Sequence, residues 1–382
     1  MQILAKTFHG LEQVLADELS ALGANKIEIS HRAVRFEGDQ RLLYRANFEV
    51  RTALRFLVPI RTFKTKHENH LYKKMQEIDW SKYLNLKTTF AINSVTSSKY
   101  LRHSKYLALK SKDAIVDQLR HRFDGQRPYI NTKNPDLLIN VHLSKDNLCT
   151  VSLDSSGGSL HRRGYRVESV EAPINEVLGA GMVLLSAWKA DCAFIDPMCG
   201  SGTLPIEAAL IAKNIPPQWL RKSFGFQKWS DFDSKLWTEV KEEALANIRD
   251  IDFPILGFDQ DFNAFQAASK NIAQANLGDV VKVTWKKLDK LEHNLKKGIL
   301  VMNPPYDERL SDSDIAGFYR RIGDQLKQKF TGFDAWIISS NREALKQIGL
   351  RTSKKIILFN GPLECRFQHY ELYKGTKKGS QV

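Results

Sequence analysis

Apolar and polar residues follow two different patterns along the 382-residue chain. Short β-like runs occupy the first part of the sequence, at residues 2–5, 33–36, 53–63, 89–95, 137–143 and 148–154. Apolar residues at helical spacing lie between some of these runs, at residues 11–22, 41–48 and 105–122. Strands and helices mixed in this way predict an α+β region built from one or two small sheets.

Beyond residue 173 β-like runs and helical patterns alternate regularly. β-like runs recur at residues 192–195, 255–258, 280–285, 299–302, 335–339, 356–359 and 367–373, and helical patterns separate most of them. This alternation predicts an α/β fold with a Rossmann-like, doubly wound and mostly parallel sheet. Residues 360–366 are too few for a parallel crossover, so the last two strands should be antiparallel.

The sequence SSGGS at residues 155–159 is the clearest break in the chain and predicts a hinge or linker. Residues 160–166, LHRRGYR, follow it and contain Arg162, Arg163 and Arg166. Arginine beside an aromatic ring is suited to binding RNA, because it grips phosphates and stacks on bases. The same composition is common in connectors that form salt bridges with a neighbouring domain, and both interpretations stay open.

Positive charge is concentrated in one part of the sequence. The chain has a net charge of +14, and residues 51–166 carry 22 Lys and Arg against 9 Asp and Glu. This imbalance predicts a module that binds a polyanion, attached to a nearly neutral catalytic module. The alternative is a basic surface that serves only solubility.

The sequence shows no sign of membrane insertion or of metal binding. No run approaches the ~18 apolar residues of a membrane-spanning helix, and the N-terminus lacks a signal-peptide layout. The four cysteines are far apart and form no C-x-x-C pair, so neither a metal site nor a disulfide framework is expected. We therefore expect a cytoplasmic protein with no membrane partner.

The sequence DPMCGSGT at residues 196–203 lies between a β-like run and a helical pattern. Asp196 ends the run, and Gly200 and Gly202 allow a ligand to approach the backbone closely. Thr203 opens the helix, whose first N–H groups can bind polar ligand atoms. The spacing matches neither G-x-G-x-x-G nor a P-loop, which argues against NAD and against nucleoside triphosphates.

Two further acids follow the next β-like runs. Asp259 is placed to accept hydrogen bonds from ribose hydroxyls, and Asp289 could accept from an adenine amine while Leu288 packs on the ring. Asp261 is better interpreted as a helix cap. Together with residues 196–203, which we call the glycine turn, these acids predict a site for S-adenosylmethionine (SAM).

The sequence NPPY at residues 303–306 supplies candidate chemistry. The Asn303 side-chain oxygen and the Pro304 carbonyl can accept both hydrogens of an exocyclic base amine, which localises its lone pair. The prolines fix this geometry in advance, and Tyr306 can stack on the base. The two motifs together predict methyl transfer from SAM to such an amine.

These motifs resemble those of THUMP-domain class I SAM-dependent RNA methyltransferases, and most closely the bacterial enzymes that make N2-methylguanine in 23S ribosomal RNA. The matching segments are residues 10–12, 15–19, 160–166, 172–173, 196–209, 303–306 and 308–310. The resemblance implies a ferredoxin-like segment at 1–65, a THUMP RNA-binding domain at 66–155, a linker at 156–172 and the methyltransferase domain at 173–382. It also implies SAM contacts from Asp196, Gly200, Gly202, Asp259 and Asp289.

Several alternatives stay open from the sequence. The 303–306 turn serves adenine N6 in DNA or RNA as well as guanine N2, and transfer RNA could replace ribosomal RNA or a large-subunit precursor as the partner. A ribosome-assembly factor that binds RNA without catalysis is the non-enzyme alternative. The aromatic-rich insertion at 213–253 is either a lid or a packed cap, and we favour the cap.

Overall fold

The computed structural model describes residues 1–171, 173–306 and 315–373. Ala172 and residues 308–310, which contribute to the family resemblance, lie outside the described residues. The described chain forms two compact units. The first contains Met1–Thr7, Glu18–Leu160 and Arg221–Glu242, and the second contains Phe8–Asp17, His161–Leu220 and the chain from Glu243 onward.

The secondary-structure elements are numbered in chain order. Those up to residue 160 are β1 (Gln2–Lys6), α1 (Glu12–Ala21), β2 (Asn25–Ser30), β3 (Ala33–Glu37), α2 (Gln40–Glu49), β4 (Arg55–Lys64), α3 (Glu68–Gln76), β5 (Thr89–Thr96), α4 (Ser104–Arg122), β6 (Tyr129–Ile130), β7 (Leu137–Leu143) and β8 (Leu148–Asp154). Those that follow are α5 (Glu176–Leu185), β9 (Ala193–Asp196), α6 (Thr203–Ala212), α7 (Ser234–Ala246), β10 (Ile255–Asp259), α8 (Phe262–Gln274), β11 (Val281–Trp285), β12 (Gly298–Met302), α9 (Ile315–Lys329), β13 (Phe333–Ser339), α10 (Arg342–Lys346), β14 (Lys354–Asn360) and β15 (Leu363–Glu371).

The first unit is built on one eight-stranded sheet in the order β2-β3-β1-β4-β8-β7-β5-β6. Most neighbours are antiparallel, while β5 pairs in parallel with β6 and β7. Strand β4 pairs with both β1 and β8, so it belongs to both halves of the sheet. The expected one or two small sheets are therefore a single continuous sheet. Buried side chains from α3, α4 and strands β5, β7 and β8 form its main apolar cluster.

The SSGGS segment is held firmly inside the first unit, which differs from the hinge expected from its composition. The buried Asn47 amide donates to Ser155 Oγ at 2.9 Å and accepts from Ser156 Oγ at 2.7 Å. Gly157 lies so close to Gly225 that a Cβ on Gly157 would come within 2.6 Å of the Gly225 nitrogen. Small residues here permit close packing rather than flexibility.

Part of the aromatic-rich insertion packs within the first unit. Phe226 stacks on Tyr44 of α2 with ring centroids 4.3 Å apart, and Trp237 of α7 meets Phe48 edge-on at 5.5 Å. Phe224 completes the group by stacking on Phe226 at 5.3 Å. This arrangement is the packed layer that the cap interpretation expects.

The second unit contains a seven-stranded sheet in the order β11-β10-β9-β12-β13-β15-β14. The five strands from β11 to β13 pair in parallel. Strand β15 runs antiparallel to both β13 and β14, as the short connection between the last two strands predicted. The doubly wound sheet and its antiparallel end are therefore confirmed.

The strand order reverses between β9 and β12. From β9 the chain continues outward through β10 and β11, and it then returns to β12 and β13 on the other side. Every residue of β9 and β12 is buried, as expected for central parallel strands covered on both faces. Ligands of doubly wound sheets bind at such a reversal, beyond the carboxyl ends of the strands.

Within the described residues, no helix combines the length and the apolar character needed to cross a bilayer.

We predict that Trp237→Ala destabilises the first unit by about 3–5 kcal/mol, because it removes a ring that is only 7% exposed and leaves a cavity among aromatic neighbours. Urea unfolding followed by near-ultraviolet circular dichroism measures the change. Lys235→Ala on an exposed position of the same helix is the control and should stay within about 0.5 kcal/mol of the parent. Equal stability of the two variants would show that the aromatic layer contributes little.

Candidate active site

A cavity of about 790 Å³ lies at the carboxyl ends of β9, β10 and β12 in the second unit. This volume falls within the range of roughly 300–1,000 Å³ found for small-molecule sites. Its lining includes Asp196, Gly200, Thr203, Asp259, Leu288 and all four residues of the 303–306 turn. The sheet therefore brings together motifs that are about a hundred residues apart in the sequence.

Asp196 is the buried end of β9. Its side chain is 1% exposed, and its carboxylate accepts a hydrogen bond from the Met198 N–H at 3.1 Å. Burial raises the pKa of Asp196 well above its usual value, and the negative charge of Asp259 adds to the shift. Asp196 is thus a carboxylate that a cationic ligand group would stabilise in its ionised form.

The glycines after Asp196 have conformations that other residues adopt only with strain. Gly200 has a φ of 52°, and Gly202, at the N-terminus of α6, has a φ of 83°. A Cβ on Gly202 would also lie 3.2 Å from Ala268 Cβ and 3.3 Å from Ala268 Cα on α8. Backbone conformation and close packing therefore both require glycine at this position.

Asp259 ends β10 and shapes the glycine turn directly. Its carboxylate accepts hydrogen bonds from the Gly200 N–H at 2.8 Å and from the Asp261 N–H at 2.9 Å. Burial is the main cause that raises the pKa of Asp259. Asp261 accepts from the Asn263 N–H at 2.9 Å and caps α8, as its sequence context indicated.

The third predicted acid lies at the margin of the site. Leu288 lines the cavity, whereas the Asp289 side chain is exposed and is outside the lining. An apolar contact with an adenine ring is thus supported by the position of Leu288. The proposed hydrogen bond from an adenine amine to Asp289 has no comparable support.

The 303–306 turn follows β12 and forms part of the cavity wall. The Tyr306 hydroxyl donates a hydrogen bond to Asn303 Oδ1, and the Asn360 amide donates to the Tyr306 oxygen at 3.3 Å. Burial raises the pKa of Tyr306, so its hydroxyl keeps its proton at neutral pH. The turn therefore offers a fixed amide oxygen beside an aromatic ring.

The arginines after the SSGGS segment divide into exposed and buried side chains. Arg163 is 1% exposed, and its Nε lies 3.4 Å from a carboxylate oxygen of the fully buried Glu207. The Tyr165 hydroxyl donates to the same oxygen at 3.0 Å. Arg162 is exposed. Arg163 follows the salt-bridging interpretation, because its burial leaves no access for RNA, whereas Arg162 retains that access.

Arg166 also binds within the second unit. Its guanidinium donates to Glu176 at 2.7 Å, to Ser201 Oγ at 2.8 Å and to Thr203 Oγ1 at 2.9 Å. It thereby ties the glycine turn to the start of α5. This arrangement fixes the glycine turn and occupies guanidinium donors that the predicted contact with RNA would use.

Sequence analysis did not identify two features of the site. The fully buried Asn271 of α8 accepts hydrogen bonds from the Val167 and Glu168 N–H groups and donates to the Ser201 carbonyl, and a single Asn in an amphipathic helix gives no signal of this. The tip of the β14–β15 hairpin, residues 360–363, lines the cavity. Its Asn-Gly-Pro sequence indicates a turn but not its location beside the site.

Cys199 lies in the glycine turn and could be mistaken for a nucleophile. Burial raises the pKa of its thiol well above the usual value, and the charges of Asp196 and Asp259 contribute in the same direction. A nucleophilic cysteine needs the opposite shift. Cys199 therefore serves as a small buried residue in a tight turn.

The cavity fits SAM by its size and its polar groups. Two carboxylates lie at neighbouring strand ends, one of them beside glycine backbone that a side chain would obstruct. Asp196 and the glycine turn would hold the amino-acid part, and Asp259 and Leu288 the adenosine part. Strand β10 lies on the far side of β9 from β12, so Asp259 is farther along the sheet from the 303–306 turn than Asp196 is.

Comparison with known protein families gives three matches along the chain. Residues 2–57 match the RlmL ferredoxin-like domain, residues 65–154 match the THUMP domain, and residues 163–369 match the RMKL-like methyltransferase domain. The last match contains every residue of the cavity wall named above.

Similar proteins cover this chain almost completely. A Synechocystis sp. protein named as a candidate RNA methyltransferase is 40% identical over 97% of this chain and 96% of its own length. The ribosomal RNA large subunit methyltransferase K/L of Syntrophotalea carbinolica is 37% identical over 95% of this chain. The chain spans only 52% of that relative's length.

Solved structures show the same fold. A candidate methyltransferase complexed with SAH, the product that SAM leaves, has a TM-score of 0.88 and 31% identity over 98% of this chain and 99% of its own. A predicted N6-adenine-specific DNA methylase from Listeria monocytogenes has a TM-score of 0.86 and 30% identity, covering 97% and 96%.

The fold of this chain is thus the fold of a similar protein whose structure was solved with SAH. Sequence likeness extends through the ferredoxin-like and THUMP regions as well. The chain belongs to the RMKL-like family of SAM-dependent methyltransferases.

Proposed function

We propose that this enzyme methylates the exocyclic N2 amine of a guanine in 23S ribosomal RNA. One observation carries the proposal: the 303–306 turn and the glycine turn face the same cavity from the ends of the paired strands β12 and β9. The first turn is suited to a base amine and the second to the methyl donor. The large-subunit ribosomal RNA named for the K/L relatives supports this choice of substrate.

When bound, SAM supplies a methyl group on a positively charged sulfur, which is already reactive toward an amine. The protein's task is therefore to hold donor and acceptor in line. Asp196 would pair with the cationic amino-acid end, and Asp259 would accept from the ribose. Gly200 and Gly202 permit the close backbone approach that this pose needs.

The acceptor side depends on lone pairs of oxygen. Asn303 Oδ1 has two, and the Tyr306 hydroxyl occupies one of them, which leaves the other for the target amine. The Pro304 carbonyl accepts the second amine hydrogen. These bonds favour a pyramidal nitrogen whose lone pair points at the methyl group. The extra proton on the methylated nitrogen then passes to water or to a nearby acceptor.

RNA as the substrate is supported by charge and by domain content. Residues 51–166 carry 22 basic against 9 acidic side chains, and most of them fall within the THUMP match. A basic surface binds the phosphate backbone and releases counterions. We propose that this region binds the ribosomal RNA or a large-subunit precursor in the cytoplasm.

Adenine N6 is the second candidate for the target amine. The name of the Listeria monocytogenes protein, an N6-adenine-specific DNA methylase, favours it. The Asn303 and Pro304 acceptors suit either amine, so the choice depends on what contacts the rest of the base.

Methyl-labelled SAM, incubated with the full chain and RNA from cells lacking the gene, tests the proposal by nucleoside digestion and mass spectrometry. We predict label in N2-methylguanosine, and a rate loss of at least a hundredfold for Asn303→Ala, because positioning of the amine supplies much of the rate. Affinity for SAM and RNA should change little. Label in N6-methyladenosine would favour the second candidate, and near-normal turnover by the variant would exclude the assigned role of Asn303.

The raised pKa of Asp196 predicts a pH dependence of SAM binding. At low pH the carboxyl is protonated and cannot pair with the ligand's ammonium group, so affinity should rise as pH increases through this pKa. Asp196→Asn should bind SAM at least about tenfold more weakly at neutral pH and show a flatter profile. Titration calorimetry across pH measures both. A variant with the parent's pH profile would assign the dependence to another group.

Arg162→Ala should weaken RNA binding. The plot of log binding constant against log salt concentration should become less steep, by the amount expected for the loss of about one phosphate contact. Filter binding at several salt concentrations measures the slope. Arg351→Ala, at an exposed arginine between α10 and β14, is the control and should leave the slope unchanged. An unchanged slope for Arg162→Ala would show that this side chain makes no phosphate contact.

A further inference from the structure

The backbone of the 303–306 turn is held from behind by a buried tyrosine. Tyr319 of α9 is fully buried, and its hydroxyl donates to the Pro305 carbonyl at 3.1 Å. The same hydroxyl is 2.8 Å from Ser339 Oγ at the end of β13. One side chain thus links the turn to the helix and the strand that follow it in the sequence.

A second contact holds the next carbonyl of the turn. The Asn341 side-chain amide donates to the Tyr306 carbonyl at 3.3 Å, while its Oδ1 accepts from the Ala344 N–H at 2.9 Å and caps α10. The Asn341 backbone N–H donates to Ser339 Oγ at 3.1 Å. Two successive carbonyls, those of Pro305 and Tyr306, are therefore fixed by one connected network.

A third contact fixes the orientation of the Asn303 side-chain amide. The amide nitrogen of Asn360 can only donate, and it donates to the Tyr306 oxygen at 3.3 Å. The tyrosine proton is then free to point at Asn303, where the hydroxyl donates to Oδ1. This direction keeps the oxygen of Asn303, rather than its NH₂ group, in the place where the amine needs an acceptor.

We propose that Tyr319, Asn341 and Asn360 are positioning residues that set the geometry of the amine-accepting turn. The inference rests on the proposed role of Asn303 and extends it to side chains outside the NPPY motif. All three follow β12 in the sequence: Tyr319 is in α9, Asn341 caps α10 and Asn360 ends β14. A displacement of about 1 Å at a reacting group can lower a rate by about a hundredfold, so such supports affect turnover strongly.

The chain contains a matched control for Tyr319. Tyr370 of β15 lies in the same apolar cluster, is 1% exposed, and donates from its hydroxyl to Gln368 Oε1 at 2.7 Å. Replacing either tyrosine by phenylalanine removes one buried hydroxyl and keeps the ring. The two variants should therefore lose similar thermal stability, and they differ in contact with the catalytic turn.

The test compares Tyr319→Phe and Tyr370→Phe in the full chain by steady-state methyl-transfer kinetics, SAM titration calorimetry and thermal unfolding. We expect kcat to fall at least about tenfold for Tyr319→Phe and less than twofold for Tyr370→Phe, with KM and Kd for SAM unchanged. Equal kcat for the two variants would overturn the proposal. So would a loss explained by weaker SAM binding.

Asn360→Asp tests the network without a buried tyrosine, in case Tyr319→Phe does not fold. An ionised carboxylate at this position accepts the Tyr306 proton and withdraws it from Asn303, so kcat should fall at least about tenfold at neutral pH. A protonated carboxyl can donate again, so activity relative to the parent should recover as pH is lowered. A fixed ratio of activities across pH would contradict the directional role of Asn360.

The parent enzyme and Asn303→Ala are measured in the same assay. A parent without methyl transfer, or an active Asn303→Ala, would count against the proposed function itself. An active parent, an inactive Asn303→Ala and unaffected Tyr319 and Asn360 variants would retain that function and reject only the positioning network.

Discussion

The parallel pairing of β9 with β12 is the constraint on which the rest of the active site depends. Cα registry between the two strands places Ile195 beside Leu300, so Asp196 and the 303–306 turn emerge at the same edge of the sheet. Both strands are buried throughout, and a one-residue slip would move every side chain to the opposite face and disrupt the packing on both faces. Burial of these apolar strands therefore sets the distance between the glycine turn and the 303–306 turn.

The sheet sets the positions of the two turns, and buried polar groups then fix their conformations. Arg166 and Asn271 tie the glycine turn to residues 167–176, and the Arg163–Glu207 pair is enclosed beside them. Such groups are costly to bury alone but stable when every partner is present. Tyr319 and Asn341 hold the backbone of the 303–306 turn in the same way. The cavity is thus lined by turns whose conformations are fixed from outside it.

Local patterns in the sequence predicted most of the sheet in the second unit, because its central strands are continuous apolar runs separated by helical patterns. Strand β2 was missed, because only Ile27 and Ile29 alternate with polar residues in it and nearly all of its side chains are exposed. Two expectations rested on composition alone: a hinge at residues 155–159 and an RNA contact by Arg163. Their partners, Asn47 and Glu207, are 108 and 44 residues away in the chain, so no local pattern could indicate the burial. The motif residues of the site were identifiable because their chemistry is local, whereas their supports come from distant elements.

The central claim is that one cavity holds the methyl donor against Asp196 and Asp259 and the target amine against Asn303. A crystal structure of the full chain with a bisubstrate analogue, in which the guanine N2 is joined to an adenosyl group through the methyl position, tests it most directly. We predict ribose oxygens within hydrogen-bonding distance of Asp259 and the linked nitrogen within hydrogen-bonding distance of Asn303 Oδ1. A guanine bound away from the 303–306 turn, with the adenosyl group in place, would contradict the account.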